Sequence, residues 1–522
     1  MKQLLKHISN IQFIIPAGFL FILISAGCTK KFDEINTDPT TFSSLPSSAI
    51  PKAFARSQWQ GVWADPGNYE VIHSLYTDLW SQYFVDAGGF PGDRFVINQD
   101  LVIYSWNLLY TVNWPSLKIV IDGTEGIAPS ANAIAKIWKV YMFHQTADMY
   151  GPIPYFQAGL GQLSIPYDSQ ESIYQDFFKT LDSAVTTLKA ADQTQTPFGT
   201  DDLIYHGNIP KWIKFANSMR LRLALRISKI DPVMARAEAE KAVADGVMTS
   251  NDDNAFVEVG PNSVNGLALE VPWENMRMSA GMESYLKGYN DPRMPEYFDP
   301  ADEDGKFHGM RNGLSPNQIS LAVVNGPSGA VNLSNLNKDR WNDITASTTP
   351  LNVMYAAESF FLRAEGALNS WNMAGTPKEL YEQGITISMQ QWGITNNTTI
   401  QNYIQSTAKP VAPGDFLNSP PAADVPVKFT TDAATQLQQI ITQKWISLYP
   451  DGIEAWSEQR RTGFPKLYPV VQIDNPDIAA GQMIRRLPFQ SFEYSTNRQA
   501  VQAAISLLNG PDKVSTPVWW NK

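Results

Sequence analysis

The amino-acid sequence predicts a mainly α-helical protein in which helix pairs carry long irregular loops. After about residue 50, apolar residues recur at the 3.6-residue spacing of helices that bury one face. Short turns separate several of these segments, which favours antiparallel helix pairs. Two long stretches interrupt the pattern, over residues 92–114, which follows Gly88, Gly89 and Pro91, and over residues 251–349, which is rich in Gly, Pro and Asn. Because long irregular segments are uncommon without a functional reason, we expect the ligand contacts to lie in these loops.

The chain begins with the features of a bacterial export signal, predicted over residues 1–27. Lys2 and Lys6 precede a mostly apolar stretch that is too short and too interrupted to predict a membrane-spanning helix. Small residues then lead to Cys28, the only cysteine in 522 residues. This arrangement resembles the lipobox of bacterial lipoproteins, in which the cysteine is acylated, although Ser25 stands where leucine is usual. An ordinary secretory signal with an incidental cysteine is the alternative.

Residues 28–50 are predicted to form a flexible tether that begins with the lipidated cysteine. This segment is rich in Ser, Thr, Pro and Asp and has little periodic apolar pattern. After the export signal, no apolar run is long enough to span a membrane. The sequence therefore predicts a lipid anchor and a tether, followed by a folded region that lies outside the bilayer.

Several segments of the folded region carry clear helical patterns. The strongest covers residues 208–232, where Asn208 is placed to cap a helix whose apolar residues recur at 3.6-residue spacing. Asp231 and Pro232 then start a partner helix after a minimal turn. Further helices are predicted over residues 131–150, 171–190, 351–369, 378–393 and 436–449.

Three arginines on the helix predicted over residues 208–232 allow two interpretations. Arg220, Arg222 and Arg226 either form an anion site or pair with acidic residues of neighbouring helices. Pairing is the commoner role, because a charge that becomes buried between helices needs a partner. We therefore expect ion pairs between the helices.

Composition and motifs argue against several functional classes. The net charge of −11 disfavours nucleic acid as a partner, because phosphate binding needs clustered Lys and Arg. The sequence has no H-E-x-x-H zinc motif, nucleophile elbow, Walker loop or dinucleotide-binding glycine motif. DEDG at residues 302–305 lacks the spacing of a calcium loop and predicts a surface turn. We predict no cofactor, metal or catalytic residue, although the acidic residues are compatible with the paired carboxylates of a glycoside hydrolase.

Aromatic residues are concentrated between residues 59 and 114, close to Gly, Pro and polar residues. Aromatic rings serve the core first, but exposed rings stack on sugars and anchor ligands. For any single ring, core packing is therefore the competing explanation. The residues that we predict to contact a ligand are Trp63, Trp80, Tyr83, Phe84, Trp273 and Trp341.

A set of short sequences follows in a fixed order along the chain. They are CTKKFDEINTDP at 28–39, TADMYGPIP at 146–154, IPYDSQESIY at 165–174, KWIKFANSMRLRLALRISK at 211–229, DPRM at 291–294, AESFFLRAEGAL at 357–368, GIEAWSEQRRTGFP at 452–465 and WW at 519–520. Together they resemble the SusD/RagB family, specifically the SusD-like nutrient-binding lipoproteins of Bacteroidetes. The resemblance covers nearly the whole chain after the signal.

The resemblance implies a single, mainly α-helical domain over residues 51–522. Its scaffold would consist of tetratricopeptide-like helix pairs, and long irregular segments would form the ligand site. It also implies a lipid-anchored protein of the outer membrane that faces the exterior and partners a SusC-like TonB-dependent transporter. Its ligand would be an oligosaccharide, or a peptide in some members, bound without catalysis. The alternative function is a surface-anchored, all-helical glycoside hydrolase.

Overall fold

The computed structural model of the protein describes residues 47–259, 264–326, 331–341 and 349–521. Residues Ile50–Lys522 form one compact unit. The predicted signal peptide, Cys28 and the predicted tether up to residue 46 lie outside the described residues. A helix begins at Ile50, where the tether was predicted to end. None of the described helices is long and apolar enough to cross a membrane.

The described part of the chain is mainly helical, as predicted. Its α-helices of eight or more residues are α1 (Ile50–Gly61), α2 (Gln99–Asn107), α3 (Trp114–Thr124), α4 (Pro129–Tyr150), α5 (Gln170–Ala190), α6 (Ile209–Arg226), α7 (Pro232–Asp245), α8 (Ala280–Tyr289), α9 (Ala356–Leu368), α10 (Pro377–Gln391), α11 (Asn397–Ile404), α12 (Ala433–Leu448), α13 (Gly452–Thr462) and α14 (Arg498–Ile505). Two π-helical segments, Glu70–Thr77 and Leu108–Asn113, adjoin the N-terminal helices. Shorter helices include Leu267–Trp273.

Two small antiparallel sheets connect distant parts of the chain. Strand β1 (Phe84–Asp86) pairs with β3 (Met276–Met278), and β2 (Ala255–Val257) pairs with β4 (Leu351–Met354). Each sheet has two strands. The sheets therefore connect segments that are far apart in the sequence.

Helices that follow each other in the sequence pack as pairs. The pairs are α4 with α5, α6 with α7, α9 with α10, and α12 with α13, while α6 also contacts α5 and α9. The close approach of α9 and α10 depends on Gly384, because a Cβ atom at this position would lie 2.8 Å from the ring of Phe361. The predicted helix-pair scaffold is confirmed.

The caps of the strongest predicted helix pair are also confirmed. The side chain of Asn208 accepts a hydrogen bond from the backbone N–H of Lys211 and caps α6. That of Asp231 accepts from the N–H of Met234 and caps α7. However, α6 ends at Arg226, and a short turned segment joins it to α7.

Two predicted boundaries were wrong. Residues 351–354 form strand β4 instead of the start of a helix, because their backbone pairs with β2, about a hundred residues earlier in the chain. The supposedly irregular stretch 92–114 is mostly helical. There Asn98 accepts a hydrogen bond from the N–H of Asp100 and starts α2, so the Gly and Pro residues that suggested a loop are confined to the short turn before it.

Charged side chains form a buried network between the helices, which we call the ionic cluster. It comprises Asp148 on α4, Arg222 and Arg226 on α6, Glu358 and Glu365 on α9, Lys444 on α12, and Glu454, Glu458 and Arg461 on α13. Arg222 donates to both carboxylate oxygens of Glu358, from Nε at 2.8 Å and from Nη2 at 2.5 Å. The prediction that these arginines pair with acidic residues is confirmed.

Within the ionic cluster, the neighbouring cations lower the pKa values of Glu454 and Glu458 and so favour their charged forms despite their burial. Burial alone would raise the pKa of Glu458, but the cations of Arg461, Lys444 and Arg226 hold it well below its ordinary value. Arg226 Nη1 lies 2.6 Å from Glu458 Oε1, and Lys444 Nζ lies 3.2 Å from Glu458 Oε2. The helices are thus linked by charged side chains, and the loss of any one of them would leave its partners buried without a counter-charge.

Glu270 lies outside the ionic cluster and shows the opposite behaviour. It is buried in the helix Leu267–Trp273. Burial, followed by the nearby carboxylates of Glu70 and Asp78, raises its pKa to about 8. Between its ordinary pKa and this value, the folded protein keeps a proton that the unfolded chain has lost. The contribution of Glu270 to stability is therefore present at low pH and declines as the pH rises towards 8.

Replacing Glu270 by glutamine should remove this pH dependence, because the amide stays neutral. We expect E270Q to be more stable than the wild type by about 1 to 3 kcal/mol at pH 8 and equal to it near pH 4. Urea unfolding at a series of pH values measures the difference. The exposed Glu258 provides the control, since E258Q should follow the wild type at every pH. Equal stability of E270Q and wild type at pH 8 would contradict the argument.

Candidate ligand-binding site

An open cavity of about 280 Å³, which we call the first cavity, lies among the irregular segments. It is lined by Glu283 of α8 and by residues 303–304, 308–311, 314, 323–324, 332–333 and 413–417. Most of these residues belong to the long excursion predicted over residues 251–349. Because the ligand contacts are expected in the irregular segments, this cavity is the first candidate for the ligand site.

The wall of the first cavity rests on its own small apolar cluster. This cluster contains Val85, Ala87, Met310, Leu314, Ile319, Val324 and Leu333 and is separate from the main core. The backbone of Met310 accepts a hydrogen bond from the N–H of Ala280 at 2.7 Å and donates to the carbonyl of Met278 at 3.1 Å. The loop is thereby anchored to the end of β3 and the start of α8.

Charged groups on one side of the first cavity hold each other in place. Glu283 is buried and accepts hydrogen bonds from Lys287 Nζ and from the N–H of Gly309, both at 2.7 Å. Burial nevertheless raises its pKa. Asp304 lies 3.0 Å from His308 Nε2, and this hydrogen bond is the main reason that the pKa of Asp304 falls to about 2.

Arg311 is a further charged residue in the lining of the first cavity. Its Nη1 donates to Ser419 Oγ at 2.6 Å, and its Nη2 donates to the carbonyl of Pro469 at 2.7 Å. The guanidinium also lies over the ring of Tyr468, 4.6 Å from the ring centre. Asp415 accepts from the N–H and hydroxyl of Ser419 at 2.6 and 2.7 Å. Both residues are therefore fixed before a ligand arrives.

Apolar side chains are unusually exposed around the same cavity. Phe416 is 39% exposed and Val323 is 67% exposed, and Leu417 also presents its side chain to solvent. An aromatic ring beside carboxylate and guanidinium groups gives an amphipathic surface. Such a surface can contact the apolar C–H face of a sugar and hydrogen-bond its polar groups.

The structure places most of the predicted ligand-contacting aromatics in the interior. Tyr83 and Phe84 have no exposed surface. The hydroxyl of Tyr83 donates to the carbonyl of Trp445 at 2.6 Å, and the two rings stack with centres 5.4 Å apart. Trp80 is almost fully buried and donates its indole N–H to the carbonyl of Gly92 at 3.2 Å. Trp80, Tyr83 and Phe84 therefore pack in the interior of the protein.

The other predicted aromatics divide into two locations. Trp63 and Trp341 are buried and together line a small internal cavity of about 30 Å³, which has room for water-sized molecules only. Trp63 donates to Gln145 Oε1 at 3.2 Å. Trp273 is 46% exposed at the end of its helix, but lines none of the cavities described here. The structure therefore does not bring the six residues into one site, and their contact with a ligand stays a prediction.

Sequence reasoning did not single out Arg311, Asp415 or Phe416. Phe416 and Asp415 belong to a Pro-rich segment, around residues 405–431, which lacks regular secondary structure. An isolated aromatic residue in such a segment was a usable signal. By contrast, no local pattern shows that this segment faces Arg311, because that contact arises only from tertiary structure.

Within the described residues, no group of three or more His, Cys, Asp or Glu side chains is arranged to hold a metal ion. DEDG at residues 302–305 forms an exposed turn, which confirms the prediction of a surface turn. An open, amphipathic cavity on a helical scaffold is an arrangement typical of ligand-binding proteins.

The family model described as SusD-like, the SusD and RagB outer membrane lipoproteins, matches residues 36–521. A chitin-binding SusD homolog from Flavobacterium johnsoniae is 35% identical, with a TM-score of 0.81, over 91% of this chain and 98% of that chain. A SusD-like protein from Bacteroides thetaiotaomicron is 32% identical, with a TM-score of 0.80, over 90% of this chain and 98% of that chain. A comparison with curated proteins finds no match. The chain belongs to the SusD-like family of outer membrane lipoproteins.

Proposed function

We propose that this protein binds an oligosaccharide in the first cavity and delivers it to a SusC-like TonB-dependent transporter. In this proposal Cys28 carries the lipid anchor, and the folded domain faces the exterior of the outer membrane. A glycan is preferred to a peptide as the ligand because the F. johnsoniae homolog, 35% identical to this chain, is chitin-binding. Oligomers of N-acetylated sugar are therefore the first candidates.

The combination of apolar and polar groups in the first cavity carries the proposal. The exposed ring of Phe416 offers a stacking surface, while the fixed groups of Arg311 and Asp415 offer a donor and an acceptor. The lining also contains Glu283, Glu303 and Asp304, and these acidic side chains disfavour polyanionic glycans. A neutral oligosaccharide fits both the charge and the apolar surface of this cavity.

Replacing Phe416 by alanine tests the site directly. We expect F416A to bind chitooligosaccharides about 5- to 30-fold more weakly, corresponding to about 1 to 2 kcal/mol, because the stacking surface is lost. Its Tm should remain near that of the wild type, since the ring is partly exposed. Isothermal titration calorimetry on residues 29–522 measures both the affinity and the stoichiometry.

F156A is the matched control for F416A. Phe156 is 49% exposed and lines none of the cavities described here, so its replacement should leave binding unchanged. The titration panel should include anionic glycans and mixed peptides, which would identify a different cargo. Equal affinities of F416A and wild type would contradict binding in the first cavity.

The same titrations separate binding from hydrolysis. A glycoside hydrolase needs two carboxyl groups about 5 to 9.5 Å apart on either side of the scissile bond, one of them free to donate a proton. Glu283 is buried and its carboxylate is occupied by Lys287 and Gly309, which suits a structural role. We therefore expect chromatography after the titration to recover the oligosaccharide intact. Shortened products would favour the hydrolase.

A further inference from the structure

A second cavity, of about 220 Å³, has a charge opposite to that of the first cavity. It is lined by Leu79, Trp80, Gln82, Phe95, Gln459 and parts of the segment 463–485. Among the described residues of this lining, only Lys466 and Arg485 are charged, and both are cations. The acidic residues in the lining of the first cavity are Glu283, Glu303, Asp304 and Asp415. In a chain with a net charge of −11, a cavity lined by cations and no carboxylate is unusual.

Neither cation of the second cavity forms an ion pair with a carboxylate of the residues that the structure describes. Arg485 is half-buried, and its Nη1 donates to the neutral amide oxygen Oδ1 of Asn521 at 3.1 Å. Burial lowers the pKa of this guanidinium. Lys466 is exposed, and its Nζ lies 4.7 Å from the centre of the Phe464 ring. Because a charge that leaves water usually gains a counter-charge, a half-buried guanidinium without one indicates a place for an anion.

Other cations near Arg485 add to the positive charge beside the second cavity. Arg460 is buried, and its Nη1 donates to the backbone carbonyl of Arg485 at 2.7 Å. Burial is the main reason that the pKa of Arg460 falls to about 9, and the charges of Arg226 and Arg485 lower it further. Burial and the charges of Arg461 and Arg485 also lower the pKa of Lys229. An anion beside Arg485 would offset this repulsion.

The second cavity also has an apolar wall. Its lining includes Leu467 and Met483, which are half-buried, and Trp80 and Phe95, which belong to the main core. The ring of Trp80 packs against that of Trp456 with centres 4.8 Å apart. The volume of the cavity is below the roughly 300 Å³ of pockets that enclose drug-sized molecules. A single small ring therefore fits this cavity better than an extended chain does.

We propose that the second cavity binds a single sugar unit that carries a carboxylate, such as a uronic acid. The carboxylate pairs with Arg485 and Lys466, and the C–H face of the ring packs against Leu467 and Met483. Hydrogen bonds between ionised partners are about twice as strong as those between neutral groups, so the acid is preferred to a neutral sugar. This site is separate from the first cavity and takes a different ligand. The proposed binding of a neutral oligosaccharide can therefore fail without affecting it.

Titrations with glucuronate and with glucose compare the same type of ring with and without the carboxylate. We expect residues 29–522 to bind glucuronate at least about tenfold more tightly than glucose, because only the acid can pair with both cations. Saturation-transfer NMR at low ionic strength measures such weak affinities. Raising the salt concentration to about 0.5 M should reduce the preference, since added ions screen charges that solvent can reach.

Replacing both cations by glutamine tests the location of the carboxylate. The double variant K466Q/R485Q should retain less than about a twofold preference for glucuronate over glucose. Its Tm should remain near that of the wild type, because removing these charges leaves no buried carboxylate without a partner. The matched control is K428Q/R498Q, which removes the same two charges from exposed positions that line none of the cavities described here. This control should keep the full preference.

The proposal is overturned if the wild type binds glucuronate and glucose equally, or if K466Q/R485Q keeps the preference. Should the double variant fail to fold, K466E gives the same test, because Lys466 is exposed and its replacement should leave the fold intact. N-acetylaspartate amide presents a carboxylate on a peptide unit. Binding of this compound at least as tightly as glucuronate would overturn a sugar ligand in favour of an acidic peptide. By contrast, a loss of chitooligosaccharide binding would count against the proposed function alone.

Discussion

Replacing Arg226 by leucine is expected to destabilise the protein by about 3 to 5 kcal/mol or to prevent folding. Arg226 has no exposed surface and lies within hydrogen-bond distance of three buried carboxylates. Its Nε is 3.2 Å from Asp148 Oδ2, its Nη1 is 2.6 Å from Glu458 Oε1, and its Nη2 contacts Glu454. Leucine would leave these carboxylates in the interior with fewer cations.

The destabilisation by Arg226→Leu follows from burial and not from the number of ion pairs. Water cannot enter to solvate the remaining carboxylates, because Glu454 and Glu458 of α13 are buried where this helix faces α6. An exposed ion pair contributes much less to the free energy of unfolding, since water solvates the charge that is left when its partner is removed. The same substitution at an exposed arginine should therefore lower the free energy of unfolding much less than it does at the buried Arg226.

Arg236 supplies this comparison. It pairs with Glu240 on α7 at 2.9 Å, and its side chain is largely exposed. R236L should change the free energy of unfolding by less than about 0.5 kcal/mol. Urea unfolding followed by circular dichroism measures both variants. Similar, small losses for R226L and R236L would contradict the role assigned to the ionic cluster.

Replacing Cys28 by alanine is expected to abolish the incorporation of fatty acid and to release the protein from membranes. Each buried methylene of an acyl chain contributes about 0.8 kcal/mol, so two or more chains hold a protein far more firmly than surface contacts do. The predicted loss is therefore close to complete.

Metabolic labelling with a radioactive fatty acid, followed by membrane fractionation, measures this effect. The control is Ser25→Leu, which restores the usual lipobox residue and should leave labelling intact or increase it. Labelled, membrane-bound C28A protein would refute the assignment of Cys28 as the anchor. Release of label with retention in the membrane fraction would instead indicate a second means of attachment.

The helical scaffold was predictable because its sequence pattern reflects a local rule. A helix that buries one face repeats its apolar residues every 3.6 positions, whatever it packs against. The caps at Asn208 and Asp231 were predictable for the same reason, since each side chain accepts a hydrogen bond from the backbone N–H three residues later.

The strands and the candidate ligand-binding site were not predictable by local rules. Strand β1 has three residues, and its partner β3 lies almost two hundred residues later in the chain. The burial of Trp80 depends likewise on Trp456, a residue of α13. Aromatic composition alone could not distinguish Trp80 from Phe416, because the distinction lies in the tertiary neighbours of each ring.

The separation between the ionic cluster and the first cavity has a consequence for the evolution of binding. The cluster connects α4, α6, α9, α12 and α13, whereas the wall of the first cavity comes mainly from irregular segments such as residues 413–417. Substitutions in those segments can alter the ligand surface while the helices keep their charge partners. A single scaffold can thereby diversify across cargoes, and grafting these segments between homologues is a rational route to new specificity.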